Sequence, residues 1–157
     1  MDLHFTSDST VFNCRVMGVC IKNNKILLCR KAGYDYWIFP GGRALLGEST
    51  EEAILREYRE ETCANLQIGH LSAIAENFFT LDGKTCHQFL FFYVLKDENG
   101  GLELFEGERP VADNENEVFR WFDMSELDSI EIQPHCCREM LRNTGTGKLI
   151  HMVNKNS

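Results

Sequence analysis

Short apolar runs broken by Asn, Asp and Gly punctuate most of the chain. Residues 11–22 and 25–32 flank Asn23-Asn24 and predict two strands joined by a tight turn. Trp37 to Phe39 predicts a short strand that runs into Pro40-Gly41-Gly42. Residues 66–80 and 84–96 predict a long hairpin around Leu81-Asp82-Gly83, and Glu98-Asn99-Gly100-Gly101 a further turn. Residues 118–123 predict one more strand, and 133–142 a helix. Between Ser49 and Cys63 the period becomes helical. Ile54, Leu55 and Tyr58 form an apolar arc, and Ser49 and Glu52 have the spacing of a capping box. Strands, helix, strands, helix in that order predict an α/β chain: a mixed central sheet with a helix on each face. No repeat, low-complexity tract or linker divides it, so 1–157 reads as one domain. Residues 1–10 carry no element and read as flexible or as a segment that pairs with another subunit.

Composition narrows the class. The 157 residues are 43% hydrophobic and 25% charged, which suits one domain with a substantial core. A net charge of −8 argues against general nucleic-acid binding, which needs a basic surface. It leaves an anionic small-molecule substrate open, because a bound cation inverts the local charge. The seven cysteines are odd in number, include no CxxC pair and follow no secretory signal, so a reduced, cytoplasmic setting is expected. The adjacent Cys136-Cys137 reads as incidental. The longest apolar run, Phe89 to Leu95, is too short to span a bilayer, so no membrane association is expected.

The candidate chemistry lies in the helix. Glu57, Glu60 and Glu61 are spaced i, i+3 and i+4, so at about 100° per residue their carboxylates share one face. Clustered carboxylates repel one another unless a cation joins them. Mg²⁺ takes a few carboxylate oxygens and keeps waters and substrate phosphates. Arg56 lies one turn before Glu60 and can hold it, while Arg59 points away to solvent. Glu51 and Glu52 belong to the positive start of the helix. Alone, the run REYREE would read as a solvated helix face. The glycine loop before it and the position of Glu48 change that reading.

Residues 42–64, GRALLGESTEEAILREYREETCA, resemble the Nudix box, the signature of enzymes that cleave nucleoside diphosphates linked to another moiety. Gly42, Glu48, Arg56, Glu57, Glu60 and Glu61 match its fixed positions. The resemblance, to small MutT-like bacterial Nudix proteins, implies the Nudix α/β/α sandwich over nearly the whole chain. It implies metal-assisted water attack on phosphorus, with Mg²⁺ as cofactor and Mn²⁺ as a substitute. Glu57, Glu60 and Glu61, beside Gly42, would hold the metal. Glu60, Glu57 or Glu115 would assist deprotonation, and Gly42, Glu48 and Arg56 would lock loop to helix. Tyr58 and Ala64 stand where bulky aliphatics are usual, Leu45 where an acid is frequent, and Cys63 where glycine is usual. A left-handed residue at Cys63 costs on the order of 1 kcal/mol, unless Asn65 takes over that conformation.

Outside the box the signals are weaker. Nudix enzymes often draw a further ligand or base from an acidic loop such as 113–117; Glu115 is the first choice and Glu117 the second, against a merely solvated loop. Arg43, Arg15, Arg30 and Lys31 are candidates for phosphate oxygens, with Arg43 the better placed beside the glycine loop. Phe78, with Tyr34, Tyr36 and Phe79, could stack on a base, against core packing for each phenylalanine. His87 could line the cleft or be a structural histidine. An ADP-ribose-like compound and a nucleoside triphosphate are both open as substrates. The alternative is a non-catalytic Nudix domain that binds or senses a nucleotide; the complete carboxylate set speaks against it. The expected partner is a small-molecule nucleotide, and because Nudix proteins are often homodimers, a homodimer is the assembly the resemblance suggests.

Overall fold

Alternation along one strand sets the architecture. In the computed structural model, which describes residues 1–155, β2 spans Thr10–Lys22. Its Cys14, Val16 and Cys20 enter one core, while Met17 and Val19 enter a second on the opposite face. The same division continues in β3 (Lys25–Lys31), with Leu27 and Cys29 on one side and Ile26 and Leu28 on the other. A sheet apolar on both faces must be covered on both. The first face is covered by α1 (Thr50–Thr62), through Ala53, Ile54 and Tyr58. The second is covered by α2 (Cys137–Asn143) and the irregular segments around it, through Ile132, Cys137 and Met140.

The remaining strands are β1 (His4–Thr6), β4 (Gly41–Arg43), β5 (Gln67–Leu81), β6 (Lys84–Lys96), β7 (Glu108–Val111), β8 (Asn114–Asp123) and β9 (Ile150–Lys155). The sheet runs β7-β8-β3-β2-β6-β5-β9, and β1 and β4 pair side by side along β2. It is mixed, as the sequence pattern predicts: β2 with β6 and β5 with β9 are parallel, and the other pairs are antiparallel. The two predicted hairpins turn at Asn23-Asn24 and Asp82-Gly83. All four residues have positive φ, the twist a two-residue hairpin needs.

Several boundaries differ from expectation. Trp37 to Phe39 forms isolated bridges, Trp37 to Ile132 and Ile38 to Cys29, and the strand in this region is β4, within the glycine loop itself. The acidic loop 113–117 lies largely in β8, which begins four residues before the predicted strand. The second helix is shorter than predicted and starts at Cys137, three residues beyond Pro134. Residues 1–10, for which the pattern gives no element, contain β1, paired with β2 of the same chain.

Tyr58, where aliphatics are usual in the Nudix box, docks α1 on the sheet. It is fully buried, and its hydroxyl donates to the Gly18 carbonyl at 3.0 Å. A Cβ on Gly18 would lie 2.2 Å from the Tyr58 ring. The large ring therefore requires a glycine opposite, forty residues earlier on β2. The helix opens with the predicted capping box between Ser49 and Glu52, and closes at Cys63, which itself takes the left-handed conformation (φ 61°).

Candidate active site

Arg56 organises the loop and the helix. Its Nε and Nη2 donate to the two oxygens of Glu48 at 3.0 and 2.6 Å, a bidentate pair. Nη2 also donates to the Arg43 carbonyl at 3.1 Å, and Nη1 to Glu57 at 2.9 Å and Glu60 at 3.3 Å. Glu48 in turn accepts from the Leu45 amide at 2.7 Å. One guanidinium thus ties the glycine loop, its far end and the acidic helix face together. Gly42 is buried against Glu57; a Cβ there would lie 2.3 Å from the carboxyl carbon. Only glycine lets this backbone approach the carboxylate.

The carboxyls occupy different environments. Hydrogen bonding from Arg56 holds Glu48 below the usual carboxylate range. Burial raises Glu57, and Arg56 opposes the rise. Glu60 is 46% exposed at its side chain. Glu61 is buried, and among the described residues its Oε2 has no hydrogen-bond partner. Burial, then the charges of Glu57, Asp113 and Glu117, push its pKa up to about 9. Burial and the neighbouring acids therefore favour the protonated form of Glu61 in the metal-free chain.

This arrangement fits a hard cation. Every candidate ligand atom is oxygen, Glu61 presents a buried oxygen without a partner, and Gly42 leaves the backbone open beside Glu57. Among the described residues, no three acidic, histidine or cysteine side chains already converge as a complete cage. Arg56 accounts for this by drawing Glu57 and Glu60 towards itself.

Glu115, the first choice from the acidic loop, is exposed. β3 ends where Lys31 pairs with Glu117, so Glu115 overhangs the sheet near the β7–β8 turn. Glu117, two residues further along the same strand face, and Asp113 are the acids of this hairpin whose charge reaches Glu61.

A cleft of about 470 Å³ opens on the sheet face opposite α1. Arg15 connects it to the acids: it lines the cleft, sits opposite Arg43 in the β2–β4 pairing, and feels the charges of Glu57 and Glu117. Burial, then Arg43, lowers its pKa. Tyr34, Tyr36 and Phe79 line the same cleft. Other predicted substrate residues lie elsewhere. Arg43 pairs with Asp2 at 3.1 Å at the glycine loop. Arg30 pairs with Glu108 at 2.7 Å and lies over Trp37. Phe78 and His87 stack on each other, with centroids 4.2 Å apart. Strand alternation puts both on the α1 face, and Nε2 of His87 is buried without a partner among the described residues. Three cleft residues not anticipated from the sequence are Asn77, Gln88 and Asn154. Only the strand pairing brings them together, so no local pattern announces them.

The fold and these residues recur in known proteins. The family model described as NUDIX domain matches residues 13–143. The uncharacterized Nudix hydrolase YvcI of Bacillus subtilis (strain 168) is 27% identical over 139 residues, which cover 86% of this chain and 80% of that protein. The crystal structure of a MutT protein from Methanosarcina mazei Go1 superposes with a TM-score of 0.60 at 19% identity, over 91% of this chain and 99% of its own. That of a UDP-X diphosphatase has a TM-score of 0.59 at 21% identity, over 94% of this chain and 68% of its own. At such identities the structural likenesses establish the fold.

Proposed function

The chain belongs to the NUDIX family of hydrolases, which act on phosphoanhydride bonds, and we propose that it is a Mg²⁺-dependent pyrophosphohydrolase cleaving a nucleoside diphosphate linked to another moiety. The observation that carries this reading is Arg15. It joins the cleft, where a substrate body fits, to the acidic helix face, where phosphate chemistry fits. An ADP-ribose-like compound or a nucleoside triphosphate would lie with its body in the cleft and its phosphates beside Arg15, running past the glycine loop towards the acids of α1. Water attacks one phosphorus, a new P–O bond forms, and the phosphoanhydride P–O bond breaks to release a phosphorylated leaving group.

Glu57, Glu60 and Glu61 would hold the divalent ions, and Mn²⁺ would substitute for Mg²⁺. Bound ions supply charge neutralisation and lower the pKa of a coordinated water from ~16 towards ~7. The chain's own share is positioning. Arg56 fixes the helix face to the glycine loop, Gly42 allows backbone contact, and Arg15 orients phosphate oxygens. In this reading Glu60, the most exposed acid of the three, takes the proton from water, and Glu117, whose charge reaches Glu61, is the favoured loop acid ahead of Glu115. The free state of all seven cysteines supports a cytoplasmic setting.

Glu57→Gln and Glu60→Gln test the proposal. Both should keep the fold by circular dichroism, and both should lower Mg²⁺-dependent turnover of a panel of nucleoside diphosphate derivatives by about 10² or more. Wild-type turnover in both variants would refute the assignment.

A further inference from the structure

Four amide side chains lie in one row across the sheet. Asn13 of β2 pairs in register with Gln88 of β6, Gln88 with Asn77 of β5, and Asn77 with Asn154 of β9. The row spans both parallel pairings of the sheet, so residues far apart in sequence meet side by side. By strand alternation all four belong to the face that carries Arg15 and Met17, and Gln88, Asn77 and Asn154 line the cleft. Asn13, Asn77 and Asn154 are 5%, 6% and 9% exposed, which is unusual for asparagine.

The row is a directed relay. Asn154 Nδ2 donates to Asn77 Oδ1 at 2.7 Å, and Asn77 Nδ2 donates to Gln88 Oε1 at 3.0 Å. Among the described residues, the buried Oδ1 of Asn13 has no partner, and the half-buried Gln88 stands at the cleft end of the hydrogen-bonded row. The relay thus presents the Gln88 amide to the cleft. The relay fixes Gln88 through Asn77 and Asn154, so its amide is pre-oriented.

The rest of the cleft defines the shape of the ligand. Tyr34, Tyr36, Ile38, Leu90 and Pro134 make apolar walls, Thr80 and Gln133 add polar groups, and among the described residues Arg15 is the one charged side chain in the lining. A heteroaromatic base has two apolar faces and a polar edge, which suits apolar walls beside a polar row. A sugar carries hydroxyls around its whole rim and would press several against those walls. A charged head group would find no counter-charge along the row.

We propose that the Gln88–Asn77–Asn154 row is the base selector of the cleft: it binds a neutral nucleobase that offers an acceptor to the Gln88 amide, which Asn77 and Asn154 hold in place. This inference rests on the cleft being the substrate site, as proposed above. Gln88→Glu probes it with minimal change, because Oε1 still accepts from Asn77 while the amide donor is lost. With Mg²⁺ and the four ribonucleoside triphosphates as probes, the wild type should favour one base by at least tenfold in kcat/KM. Gln88→Glu should compress that spread to under threefold through KM, with kcat held within twofold. Gln88→Ala should do the same if its melting temperature stays near wild type. An undiminished base preference in both variants overturns the inference. Should the wild type hydrolyse none of the triphosphates, the proposed activity on this class fails, and calorimetry decides about the row by itself. The row predicts that nucleoside 5′-monophosphates bind at least tenfold more tightly than ribose 5-phosphate, and that Gln88→Glu removes the difference. Equal wild-type affinities for the two overturn it.

Discussion

Glu61→Gln should make the metal-free protein more stable while weakening its hold on metal. Glu61 is buried, lacks a partner for Oε2, and has its pKa pushed up to about 9 by burial and neighbouring acids. Unfolded, the same carboxyl returns to the ordinary range near 4.5. Between these values the unfolded chain has released a proton that the native chain keeps. Native stability is therefore highest below the unfolded pKa and falls as pH rises through the window, by about 1.4 kcal/mol per pH unit for this one group. By pH 7 the loss is on the order of 3 kcal/mol, a large part of a domain's stability. Glutamine does not titrate and keeps the shape, so the variant escapes the loss. The assay is urea unfolding in chelator at pH 5, 6, 7 and 8. The two proteins should diverge steadily in midpoint above pH 5, with the variant the more stable. Saturating Mg²⁺ should reverse their order at pH 8, because the ion binds the native wild type and supplies the charge that Glu61 lacks. Parallel pH profiles for the two proteins in chelator would refute the buried, protonated reading of Glu61.

Three further outcomes follow from the geometry. Gly18→Ala drives a Cβ to within 2.2 Å of the Tyr58 ring and should cost about 3 kcal/mol by urea unfolding; adding Tyr58→Leu should recover part of it, a coupling that a double-mutant cycle measures. Cys63→Gly relieves a non-glycine residue at φ 61° and should stabilise by about 1 kcal/mol in thermal melts, without altering turnover. Arg56→Lys keeps the charge but loses the fork that grips Glu48, and should lower kcat more than tenfold while costing about 2 kcal/mol of stability.

The loop and helix were legible because their chemistry is local. Glu57, Glu60 and Glu61 share a face by helical period alone, and Ser49, Glu52, Glu48 and Arg56 sit at spacings that a short segment can enforce. Cys63 was readable as a strained end for the same reason. What failed to show depends on pairing between distant segments. The strands β1 and β7 are short edge pieces with mostly exposed residues, so they carry no apolar alternation. That Glu117, and not Glu115, is the loop glutamate whose charge reaches Glu61 depends on two residues of hairpin register, which no spacing in the loop reveals. Phe78 and Phe79 illustrate the period of two: adjacent and chemically alike, they face opposite sides of the sheet, and only Phe79 reaches the cleft. The partnership of Tyr58 with Gly18 was hidden for the same reason, since a ring that replaces an aliphatic is explained only by the strand it touches.

The acidic face of α1 is not a uniform patch, and its gradation bears on how a chain of net charge −8 can gather still more negative charge in one place. Glu48 is neutralised by a bidentate arginine and is finished as a structural group. Glu57 shares that arginine with Glu60 and lies between structure and site. Glu61, one turn beyond Glu57, receives none of it and keeps its proton instead. Arginine and proton thus do, in the metal-free protein, what cations would do with phosphates bound: they keep the carboxyls from repelling one another. To take a cation, Glu61 would have to release its proton, whereas Glu48 would have to give up its bidentate arginine. Glu61 is also the carboxyl to which the β7–β8 hairpin adds the charges of Asp113 and Glu117, at the end of α1 furthest from the capping box.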